Sequence, residues 1–145
     1  MHRLFEPQHS RVIHQNDHFR IWHNRRLQSI VLVHLAPPSS GLFRDCLQKL
    51  VEAYEYSKAS QEALHLISDA RLFRLAAANN MAWTATHILS RLATSGLRHF
   101  AIVAPPEPQR TAIVCLQEPA EVLGIQLHWY ESVPEVLVHF HPIGH

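Results

Sequence analysis

Ser68 and Asp69 close the apolar run Leu64 to Ile67, and two arginines, Arg71 and Arg74, follow shortly after. A hydroxyl and a carboxylate delivered to the C-terminal end of a strand stand where open α/β sheets bind ligands. A phosphate on Ser68 would find Arg71 and Arg74 beside it as charged partners. The pair also has a plainer use. Serine bonds locally, and an aspartate satisfies the amides of the loop that follows it. The plainer use is the expectation, with Ser68, Asp69 and Arg71 kept as a candidate switch or partner surface. Trp22 is the other candidate. It sits on the strand face opposite Phe19 and Ile21, so a face left bare would let it join Leu4 or Phe5 in an apolar contact patch.

Other chemistry has less support. The segment "HFHPIGH", His139 to His145, is the most metal-like, because His139 and His141 would share a face if extended. It supplies no acid or cysteine as a third ligand, so weak binding by a tail is expected and not a metal centre. Cys46 and Cys115 lie in separate apolar helical patterns, which predicts two buried, reduced thiols. Glu118 and Glu121 read as solvated helix residues. No G-x-S-x-G elbow occurs, and the four glycines are too far apart to build a phosphate-binding loop. The chain is therefore expected not to be an enzyme and to need no cofactor.

Composition bounds the rest. The 145 residues are 47% hydrophobic and 17% charged, which fits one globular domain, 1–145, with a loose tail over 1–10. A net charge of +1 with scattered arginines gives no basic stripe for nucleic acid. No run reaches the roughly 18–20 apolar residues of a membrane span. The N-terminus lacks the apolar core of a secretory signal, and a cytoplasmic location is the simplest expectation. Thirteen histidines make the charge depend strongly on pH between about 5 and 7.

The elements that must position these residues follow from periodicity. Val12 to His14, His18 to His23 and Gln28 to Leu35 read as strands joined by turns at Asn16-Asp17 and Asn24-Arg25-Arg26, hence antiparallel hairpins. Pro37-Pro38 ends the third strand. Ser39 or Ser40 then caps a helix whose stripe is Phe43, Cys46, Leu47, Leu50, Val51 and Tyr54, ending near Ser57. Ala63 to Ser68 is the next strand. A second helix runs over Ala77 to Thr94, with Gly96 as its left-handed stop. Phe100 to Val103 is a strand, Thr111 to Leu123 a helix interrupted at Pro119, and Ile125, Leu127 and Trp129 mark a last strand. Ser132-Val133-Pro134-Glu135 opens a terminal helix. The fold class is α/β: a mixed β-sheet of about five to six strands, an N-terminal antiparallel hairpin followed by βαβαβαβα, with helices packed on the sheet.

The order of Asp69, Trp83, Leu92, Gly96, Ala101-Ile102-Val103 and the terminal "WYESVPEV" resembles the STAS-like domains related to anti-sigma-factor antagonists, and the SEC14-like proteins grouped with them. The resemblance covers Asp17 to about Glu135 and implies a regulatory module that works through protein contact and leaves the partner open; a homodimer is what the Trp22 patch would allow. Its SEC14 side implies a small-molecule or lipid-binding pocket between helices and sheet. The family's phosphorylated motif resembles Asp-Ser-Ser-Gly, and this chain departs from it: Ala70, Arg71, Leu72 and Phe73 follow Asp69, and no hydroxyl stands at the next helix start. The phospho-switch is not carried over.

Overall fold

The computed structural model describes residues 10–60, 63–74 and 79–140. Strands β1 (Ser10–Gln15), β2 (Phe19–Asn24) and β3 (Ser29–His34) form an antiparallel meander. Its first turn is an Asx turn, because the Asn16 carboxamide accepts the amides of His18 and Phe19. In the second turn Asn24 accepts the Leu27 amide, and Gln28 takes φ 50°. β1 begins at Ser10, one residue inside the expected tail.

Three crossovers then lay down β4 (His65–Asp69), β5 (His99–Val103) and β6 (Gln126–Tyr130), each parallel to the strand before it. Spatial order follows chain order from β1 to β6 in one six-stranded sheet. The expected mixed α/β sheet is the architecture observed.

Helix α1 (Ser40–Lys58) starts where Ser39 Oγ accepts the Leu42 amide. Its stripe from Phe43 to Tyr54 is buried as the periodicity predicts. The Tyr54 hydroxyl donates to the Leu64 carbonyl at 2.9 Å and ties the helix to the entry of β4. The second crossover is one helical run in three parts: α2 (Asn79–Trp83), a π-helical segment (Thr84–Leu89) and α3 (Ser90–Thr94). The Thr84 hydroxyl takes the Asn80 carbonyl at 2.7 Å, the group an α-turn pairs with the Thr84 amide, and such back-bonding distorts helices. Gly96 ends the run at φ 104°, and the Leu97 amide reaches back to the Leu92 carbonyl.

The third crossover holds α4 (Gln109–Val114) and α5 (Gln117–Val122). The break falls at Cys115-Leu116, and Pro119 sits in the first turn of α5, where a missing N–H costs nothing. Pro119 therefore marks a restart. The break also turns Cys115 outward. It is exposed while Cys46 is buried, so the expectation of two buried thiols holds for one. Helix α6 (Val133–His139) is capped by Ser132 Oγ on the Glu135 amide, and the Glu135 carboxylate returns to the Glu131 amide.

These helices divide unequally between the faces of the sheet. α1, the α2–α3 run, α4 and α5 bury one face with Ile21, Ile30, Leu32, Leu66 and Ile102. On the other face Trp22, Val31, Ile67, Ala101 and Val103 cluster with Val133, Val136 and Phe140 at α6. β3 and β4 are thus buried on both sides, as parallel central strands are. Among the described residues no helix is long and apolar enough to cross a membrane.

Candidate functional site

The helix-covered face holds a partly open cavity of about 60 Å³ near the C-terminal ends of β3, β4 and β5. Its walls are mostly apolar, among them Phe43, Leu47, Ile88, Leu89, Ile102 and Ile113. Three polar side chains interrupt them: His34, Ser68 and Thr84. The alternation of a strand explains two of these. His34 follows Ile30 and Leu32 onto the helix side of β3, and Ser68 follows Leu66 onto the same side of β4. Thr84, Ile88 and Leu89 come from the π-helical segment, which forms one wall.

His34 is 7% exposed, and its ring meets the Phe73 ring edge-on, centroids 5.7 Å apart. Burial pushes its pKa down to about 4, against an opposing pull from the Asp69 carboxylate. The imidazole is therefore neutral at pH 7, able to offer one donor and one acceptor. Among the described residues neither lysine nor arginine lines the cavity.

Asp69 points away from the cavity, to the opposite face of β4. Arg71 grips both carboxylate oxygens, Nε to Oδ1 at 2.8 Å and Nη2 to Oδ2 at 2.7 Å, and its backbone amide donates to Oδ1 at 3.3 Å. The aspartate thus satisfies the loop that follows it. Arg74 donates to the Phe73 carbonyl at 2.7 Å. Ser68 and Asp69 are both buried, and Arg71 alone of the three is exposed, so the trio does not form a surface. Trp22 corrects the other surface expectation. It is 3% exposed within the cluster at α6, so it is not part of a bare apolar patch. Leu4 and Phe5 lie outside the described residues.

The opposite face carries a feature that chain order conceals. On β4, β5 and β6 this face gathers His65, His99 and His128 in a slanting row, His128 being paired with Ala101, two residues past His99. The rings of His65 and His99 are 5.8 Å apart, those of His99 and His128 5.3 Å, and His99 Nδ1 stands 3.0 Å from His128 Nε2. Phe140, just beyond α6, packs edge-on against His65 at 5.9 Å and His128 at 5.3 Å. Among the described residues no group of three or more His, Cys, Asp or Glu is placed to hold a metal ion. His139 is exposed at the end of a helix, not in an extended segment, and His141 lies outside the described residues. Glu118 and Glu121 are exposed, as expected of solvated helix residues.

Sequence reasoning missed His34, Thr84 and the histidine row. The available signal for the row was a histidine at the head of two successive strands, "HLIS" and "HFAIV". Neither family models, curated proteins nor solved structures match the chain. The STAS-like resemblance rests on the residues that suggested it.

Proposed function

We propose that the chain is a non-enzymatic binding module of the cytoplasm that takes a small, uncharged, largely apolar ligand into the cavity beside His34 and Ser68. The observation that carries this reading is an apolar cavity at the C-terminal strand ends, with neutral hydrogen-bonding groups and, among the described residues, no cation in its walls. A carboxylate or phosphate there would be buried unpaired, at a cost of several kcal/mol. About four methylene-sized groups in such a space contribute about 3 kcal/mol, so contact with the cavity alone gives a Kd of roughly millimolar order or weaker. A larger ligand requires the helical wall to part, and the π-helical segment is the irregular stretch of that wall. The SEC14 side of the resemblance implies the same kind of role.

Titration with 1-butanol, followed by methyl NMR, tests the reading. Shifts centred on Leu32, Ile88, Leu89 and Ile113 are expected, and the absence of any shift in those methyls refutes it.

The second reading, regulation through protein contact, is favoured by Val114, Val122 and Leu123, exposed on and beside α4 and α5. Its homodimer form expects Val122→Asp to weaken self-association in sedimentation velocity. A wild-type protein that is monomeric at all concentrations refutes that form.

A further inference from the structure

We propose that the His99–His128 pair is a proton-operated latch on the C-terminal helix: at neutral pH the pair shares a proton beneath Phe140, and a second proton drives the rings apart and frees α6 from the sheet. Two imidazoles whose nitrogens stand 3.0 Å apart can hold one hydrogen between them. The pair stays joined when it is neutral, and also when it carries one extra proton. Two imidazolium rings turn N–H toward N–H and repel, so the pair titrates in two coupled steps and the second one breaks the contact.

The surroundings do not relieve that repulsion. His65 faces the pair from β4, and Tyr130 lies on the same side of β6. α6 brings Glu135 and His139, and the effect of Glu135 falls on Tyr130. Arg98, the neighbour of His99 in the chain, falls on the other side of β5, where its charge acts on Tyr54. Among the described residues no carboxylate acts on either ring. Burial lowers the pKa of both histidines, and His99 lowers that of His128 further. With folded values below 6.5, the latched state is complete above that pH and is lost as pH falls below it.

The break would be felt at α6 because Phe140 leans on His65, His128 and Tyr130 at once. Within the described residues α6 is the sole helix in the cluster on this face.

Amide hydrogen exchange at pH 7.5 and 5.5, corrected for intrinsic rates, tests the latch in the intact chain, with α1 as internal reference for global stability. Protection of the amides in α6 and at Phe140 should fall about tenfold more than protection in α1. An equal fall in both helices overturns the proposal. His128→Gln cannot take the second proton, so its α6 should lose the acid response. A response that persists there also overturns the proposal, and if that variant does not fold, the wild-type comparison decides alone.

Discussion

The helix-covered face of the sheet holds His34 among apolar side chains beneath three helical crossovers, whereas the opposite face gathers His65, His99 and His128 under one short helix and Phe140. Burial lowers the pKa of His34 on one face and of His99 and His128 on the other, but in different company. His34 is neutral because burial outweighs the attraction of Asp69. His99 and His128 are partly exposed, and His128 also has the charge of His99 to contend with. Depth of cover therefore decides how an added proton is felt: as a cost to the whole fold on the thick face, and as the release of one element on the thin one.

The sharpest way to probe this difference is to thin the thick face. Leu89→Ala removes a side chain that is 1% exposed and lines the cavity. It should cost about 3–4 kcal/mol in urea unfolding, by analogy with other buried leucine truncations. A loss below about 1 kcal/mol would show that the cavity wall collapses freely.

Acid titration of His34 comes next. Its folded pKa of about 4 lies below the unfolded value of 6.5. The unfolded chain therefore binds the proton first as pH falls, and stability present above 6.5 is lost down to about 4. The loss is about 3 kcal/mol in total, most of it by pH 5. His34→Leu should flatten this part of the pH profile, and a profile unchanged by the substitution would contradict the assignment.

On the thin face, Val136→Ala should cost about 1–2 kcal/mol and raise exchange in α6 more than in α1. Equal effects in both helices would erase the contrast between the faces. The smallest effect is expected for Ser68→Ala, within about 1 kcal/mol, together with weaker binding of 1-butanol than of xenon in the same cavity. Equal change for both probes would mean that Ser68 does not select for a hydroxyl.

Local pattern made much of the fold legible. The α1 stripe, the strand alternations, the Ser132 cap and the stop at Gly96 are each set by neighbours in sequence. The break at Cys115-Leu116 was not, because the apolar spacing runs on through it while the backbone turns. Nor was the cover over Trp22, since its strand reads the same whether α6 folds over that face or leaves it bare. Of the candidate site, Ser68 and Asp69 were visible as residues, but the face each one serves depends on the register of β4 with its neighbours. The histidine row is further from sight, because its members come from three strands and meet only once the parallel register is set.

The sequential strand order has a consequence at the margins of the sheet. Adding each strand beside the last leaves the earliest and latest strands as opposite borders. The β1 border is interrupted between Val12 and His14, where a bulge breaks the rhythm of its outward amides and carbonyls. The β6 border pairs with β5 in unbroken register from Gln126 to Tyr130. Among the described residues, a foreign extended chain would meet a spoiled template at the β1 rim and a regular one at Gln126–Tyr130.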